Sequence, residues 1–344
     1  MKISMNSPDV TADSPGWMRV LFSCQGDQFT VKDVIEAARW RGDLDKACRE
    51  LSTAIGCEAR AAQLKLEPNE VEIQRLSEEF RYQRDLLTTE ETERWLIAHD
   101  VTEEEFSDYF LRSYWRRNLP EADRVELDEA AIGGEGFAEL LRVELMLSGE
   151  FEPLERELSC RAAALHSEGR SKESKAELQA KGVFGEWCSR AEAAYRDVCG
   201  RVLTEDSRTR MLAAMRILLT RVVVESVVLK SSAAAREATL CLRNQEMTMD
   251  ELSQEAGSAC ARVEIFLGDC DEEYQRRLLC AAPGEVLEQA SDDGVVVSRL
   301  LDKTEPKIGD EVIRAKVDGR LLDAYLAELA SKVITRPSVA ENLR

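Results

Sequence analysis

The run from Asn69 to Leu119 leaves this chain few ways to fold. Thr88 with Glu91, and Thr102 with Glu105, have the spacing of a capping box, in which hydroxyl and carboxylate bond the free amides of a new first turn. The run therefore predicts three short helices. Phe80, Leu86, Trp95, Leu96, Phe106, Phe110 and Trp115 give them large apolar faces, which must meet in a shared core or line an apolar groove.

With 344 residues the chain has room for two or three domains. It carries 46 Lys+Arg against 66 Asp+Glu, a formal charge of −20, which repels phosphate backbones and anionic lipid. Nucleic acid and membrane surfaces are thus excluded as default partners. Arg112 with Arg116 and Arg117 still form a local basic patch able to hold an acidic peptide. The N-terminus is polar, with no secretory signal, and no apolar run approaches the ~20 residues of a membrane span. The ten cysteines are scattered and none forms CxxC, which predicts reduced thiols in a cytoplasmic protein. Cys260, Cys270 and Cys280 stand too far apart for a zinc knuckle. No phosphate-cradling, zinc-protease, nucleophile-elbow or dinucleotide motif is present, and Gly133-Gly134-Glu135-Gly136 reads as a turn. The residues call for no cofactor and no metal.

Residues 1–16 read as a disordered tail. A hairpin about Gln25–Gln28 follows, then helices near Val31–Arg41 and Leu44–Lys65. Residues 133–165 echo 26–61, with Arg49-Glu50-Leu51-Ser52 recurring as Arg156-Glu157-Leu158-Ser159. Leu178–Leu203 echoes Leu96–Leu119, so a shorter second copy of the helical segment is expected, and the polar stretch Ser167–Glu177 reads as a linker. Beyond a helix from Ser207, Arg221–Lys230 has the β-branched content of a buried strand. Ser231 or Ser232 and then Thr248 with Glu251 open two helices; Ala261–Leu267 reads as a strand and Asp271–Leu279 as a helix. A strand follows Pro283-Gly284-Glu285-Val286, Asp292-Asp293-Gly294 turns a hairpin into a last strand at Val295–Leu301, and Lys307–Lys332 is a closing amphipathic helix.

Two resemblances stand on these residues. Glu70 and Glu72, the run Arg81-Tyr82-Gln83-Arg84, Glu91 with Trp95, Val101-Thr102 and Glu104-Glu105-Phe106 resemble the helical peptide-binding module of SurA-type chaperones. Residues 221–303 are similar to parvulin-type prolyl isomerases, in the order strand, helix, helix, strand, helix, strand, strand and in the turn Pro283-Gly284-Glu285-Val286. The resemblances imply an α+β, predominantly helical chain: a SurA-like module, duplicated, followed by a parvulin-like α/β domain. The expected divisions are a tail at 1–16, hairpin and helical module at 17–120, second helical module at 121–206, parvulin-like domain at 207–303, and closing helix and tail at 304–344.

The parvulin resemblance also implies two facing histidines, whose positions fall near Ser226 and Val296. The only histidines are His99 and His166, read as a capping or surface residue and a solvent-exposed one, so the domain is expected to be degenerate. No residue stands out as catalytic. For peptide contact the best candidates are Tyr109, Arg112, Tyr114, Trp115 and Arg116, since aromatic and arginine side chains dominate protein interfaces. The expected function is non-catalytic binding of a peptide or unfolded segment. Chains of this kind resemble accessory proteins that hold a precursor peptide, with its maturation enzymes, during biosynthesis of ribosomally made modified peptides. The alternatives are a prolyl isomerase or peptide-modifying enzyme with a non-standard residue set, and an oligomeric scaffold.

Overall fold

The computed structural model describes residues 15–127, 134–167, 169, 174–291 and 293–337. They are α+β and predominantly helical, as expected, and fall into two compact units: one within Met1–Val198 together with Leu326–Arg344, the other Cys199–Tyr325. Most of the expected tail lies outside the described residues; Pro15–Met18 form a short helix, α1.

The first unit begins with an antiparallel hairpin, β1 (Val20–Cys24) and β2 (Asp27–Thr30). Its two-residue turn places Gln25 and Gly26 at φ 50° and 95°, the left-handed conformations that match strand twist. β7 (Ile334–Thr335) pairs on the far side of β1, a strand too short to carry a sequence signal. Helices α2 (Val31–Arg41), α3 (Asp45–Leu64), α4 (Glu70–Gln83), α5 (Thr89–His99) and α6 (Glu103–Asn118) follow. Both expected capping boxes are present: Glu91 N donates to Thr88 Oγ1 at 3.2 Å and Thr88 N to Glu91 Oε2 at 2.9 Å, with the same exchange between Thr102 and Glu105.

The apolar faces of α4, α5 and α6 meet in a core rather than a groove. Phe80 is central, its ring edge-on to Trp95 at 5.2 Å, Phe106 at 5.4 Å and Phe110 at 5.8 Å. The Arg84 guanidinium lies 3.9 Å over Phe80 and donates to the Leu147 carbonyl, tying this cluster to α7 (Gly134–Ser148). Gly134 and Gly136 therefore sit in a helix, not in the expected turn, while Gly133 lies outside the described residues. The apolar run Phe137–Leu147 drives this, since burial outweighs the ~1 kcal/mol cost of a helical glycine. Arg142 of α7, buried, donates to the carbonyls of His99 and Asp100 and so satisfies the C-terminal end of α5 with a cation.

Helices α8 (Phe151–Ser167), α9 (Lys175–Ala180) and α10 (Phe184–Val202) complete this part of the chain. The described end of the expected linker is not a free connection. Lys175 is buried, with Nζ 2.6 Å from Asp33 Oδ2 and 4.8 Å above the Phe29 ring. Asp33 also accepts from Thr30 N and from Gln179, so a single carboxylate caps α2 and anchors α9. His99 ends α5 half-buried, stacked on Trp95 with ring centroids 3.9 Å apart and Nδ1 2.7 Å from the Trp95 carbonyl.

The second unit is built on a four-stranded antiparallel sheet ordered β4-β3-β6-β5. Its elements are α11 (Glu205–Ala214), β3 (Arg221–Leu229), α12 (Ser232–Arg243), α13 (Met249–Ala256), β4 (Ala261–Phe266), α14 (Glu272–Cys280), β5 (Val286–Ser291), β6 (Gly294–Thr304) and α15 (Glu311–Val333). From β3 to β6 this is the element order expected of a parvulin-like α/β fold. Alternate strand residues face opposite sides, and both sides of β3 are covered. Val222 and Val224 pack with Tyr274 and Leu278 of α14, whereas Val227 and Leu229 pack with α12 and α13. Gly294 (φ 140°) opens β6 so close to Leu229 that a Cβ would lie 2.2 Å from its carbonyl oxygen.

Two outcomes test this description. Lys175→Ala leaves Asp33 buried without its cation and is expected to cost about 3–5 kcal/mol in chemical denaturation. Burial holds the His99 imidazole below its ordinary pKa, so the folded state prefers it neutral. Stability from this source is complete above the unfolded value of about 6.5 and is lost as pH falls below it. His99→Gln should flatten the fall in stability between neutral and mildly acid pH, read as the difference between wild-type and variant profiles.

Candidate functional site

The sheet face beneath α14 carries the two positions expected from the parvulin resemblance. Ser226 pairs with Ser298, and Val228 with Val296. Because 226 and 228 alternate on one side, Ser226, Val228, Val296 and Ser298 share that face, continued on β5 by Leu287 and Gln289. Ser226 and Val296 are thus on one face of the two central strands, two pairing positions apart, and both are half-buried.

The hydrogen-bonding groups here are already engaged. Tyr274 packs from α14 against this face, where the Ser298 hydroxyl acts on its phenol, and these two residues are 5% and 2% exposed. Burial pushes the Tyr274 phenol above its ordinary pKa, with the Ser298 hydroxyl opposing. Asp271 caps α14 through the Tyr274 amide at 2.9 Å and accepts from Gln289 Nε2 at 2.6 Å. Ser226 Oγ lies 3.5 Å from the Ala261 carbonyl. The thiol of Cys270, on the α14 side, and that of Cys260, on the opposite side of the sheet, are both pushed up, first of all by burial, so neither is poised as a thiolate. The face thus consists of half-buried valines with hydroxyls and an amide whose hydrogen bonds are made within the protein. It holds no histidine, since the chain has none after His166.

The helical candidates all lie on α6 but differ in exposure. Trp115 is buried against Cys57, Ala61 and Leu119, joining α6 to α3. Arg112 is 4% exposed, and its Nε and Nη2 have no hydrogen-bond partner among the described residues. Tyr109, half-buried, has its phenol pushed up by burial and then by Glu144. Burial likewise raises the Glu144 carboxyl, against the pull of Arg112 and Arg116. Arg116 is half-buried, its Nη1 3.1 Å from Glu50 Oε2, and Tyr114 lies edge-on to Trp115 at 5.0 Å. Arg112 and Trp115 therefore support α6 from beneath, while Tyr109, Tyr114 and Arg116 reach its half-exposed rim.

Sequence reasoning missed Tyr274, Ser298 and Glu144. Ser298 interrupting the valine run of the last strand was the one available signal. In the hairpin unit a cavity of about 560 Å³ is lined by Phe29, Leu165 and Trp187, with His166, half-buried rather than fully exposed, at its edge. Among the described residues no group of three or more His, Cys, Asp or Glu side chains is placed to hold a metal. No helix among them is long and apolar enough to cross a membrane, and no disulfide joins any of the cysteines.

No protein-family model matches the chain, and no curated protein matches it. Among solved structures it is similar to the foldase protein PrsA of Streptococcus pneumoniae, at 12% identity over 91% of each chain and a TM-score of 0.31. It is also similar to the peptidylprolyl isomerase PrsA of Bacillus anthracis, at 14% identity over 52% of this chain and 85% of that one, TM-score 0.23. A SurA-like chaperone of Campylobacter jejuni matches at 11% identity over 93% and 99%, TM-score 0.19. At these TM-scores the likenesses carry no weight for function.

A double-mutant cycle measures the coupling on the sheet face. Tyr274→Phe and Ser298→Ala should each destabilise the protein, and their combination should cost less than the sum by about 1 kcal/mol.

Proposed function

We propose that this protein is a non-catalytic, chaperone-like binder of peptides or unfolded segments. The observation that carries the reading is the make-up of the face beneath α14: Ser226 and Val296 stand where the parvulin resemblance implies histidines, with buried Tyr274 and Ser298 beside them. Prolyl isomerisation needs a site that binds a twisted amide better than a planar one, against a barrier of ~18–20 kcal/mol for an ordinary peptide bond. Valines and engaged hydroxyls bind both forms alike, which yields affinity without acceleration.

In the finer form of the proposal the ligand is the precursor of a ribosomally made, modified peptide, held in the cytoplasm for its maturation enzymes. Ten cysteines with no disulfide among them fit a reducing compartment. On the helical unit, Tyr114 and Arg116 would take an acidic stretch of the same ligand class, with Tyr109 beside them and Arg112 and Trp115 holding α6 in place.

Calorimetric titration with the short peptide encoded beside the gene, its leader and core halves taken separately, tests this. Micromolar or tighter binding to one half, with no acceleration of cis–trans exchange in a proline-containing peptide, is the expected result. Absence of binding to either half removes the precursor-peptide reading, and turnover of the proline peptide removes the non-catalytic one.

A further inference from the structure

We propose that β4 is a self-complementary edge through which two copies of this chain pair as antiparallel strands. β4 closes one side of the four-stranded sheet and, among the described residues, pairs only with β3. Its first four residues, Ala261 to Glu264, are exposed, including Val263 at 41%. An open strand edge of this kind invites another strand.

The ladder decides which backbone groups face outward. Leu267 N donates to Thr220 O at 2.9 Å, one step beyond the Arg221–Phe266 pair. Antiparallel pairs alternate between bonded and non-bonded, so Ile265, Val263 and Ala261 turn their amides and carbonyls inward to β3. Arg262, Glu264 and Phe266 turn theirs outward.

An incoming strand must match those outward groups, which restricts the registers of a two-fold pairing to a few. Centring the axis on Arg262 or Glu264 sets like charges against each other. Centring it on Val263 sets Arg262 opposite Glu264 of the second copy, twice by symmetry, Val263 opposite Val263, and Ala261 opposite Ile265. Opposite charges and apolar pairs directly across a ladder are the stabilising combinations. Glu264 is held ready by Arg221 at 3.0 Å, while Arg262 has no hydrogen-bond or ion-pair partner among the described residues. The charge of −20 per chain opposes association at long range, but salt screens that repulsion more than it screens facing pairs at contact. The occupant favoured by this charge pattern is therefore a second copy.

Sedimentation equilibrium of the full chain, from micromolar to submillimolar concentration, tests the proposal. Wild type should show a reversible monomer–dimer equilibrium. Arg262→Glu or Glu264→Arg alone places like charges across the axis twice and should weaken association about tenfold. Mixing the two single variants makes every facing pair opposite again, and a heterodimer of near wild-type affinity should form. That rescue requires both chains to be folded, so it separates edge pairing from misfolding. A wild type that stays monomeric, whether or not an added peptide strand protects β4, overturns the proposal. So does a dimer insensitive to either variant, or a mixture that fails to associate.

Discussion

The pairing of β3 with β6 is the constraint on which the second unit depends. It runs from Arg221 opposite Thr304 to Leu229 opposite Val295, with one irregularity beside Val223. Because both faces of β3 are buried, helices must cover both sides: α12 and α13 on one, α14 on the other. The same ladder brings Ser226, Val228, Val296 and Ser298 onto one face and leaves β4 as an edge. Candidate face and candidate edge are consequences of one register, since a slip by one residue would exchange the faces.

Inside an acidic protein, the buried cations have assigned places. Lys175 is matched to Asp33, and Arg142 is matched to the end of α5. Arg112 differs, with two guanidinium nitrogens lacking hydrogen bonds although the Glu58 and Glu144 carboxylates act on the same cluster. Burial raises both carboxyls, against the pull of Arg112.

Local signals were legible where local chemistry decides. The capping boxes at Thr88, Thr102 and Thr248 and the valine run of β3 all appear where their spacing predicts. Non-local burial was not legible. Lys175 in a polar stretch looks like any solvated lysine until Asp33, far away in sequence, is brought beside it. Gly134 and Gly136 look like a turn until the apolar run behind them is buried. Trp115 and Arg112 have the composition of an interface, but composition does not say which side of α6 meets α3. Tyr274 and Ser298 meet only through the sheet, and β7 is too short for any pattern.

The central claim is that the face beneath α14 binds peptide without catalysing isomerisation. Amide-detected NMR of the labelled protein, with a proline-containing peptide whose cis and trans signals are resolved, tests both halves in one sample. The account predicts shifts centred on Ser226, Val228, Gln289 and Val296, and no protein-dependent exchange between the peptide's two isomers. Exchange cross-peaks that grow with protein concentration, or shifts that leave this face untouched, would contradict it.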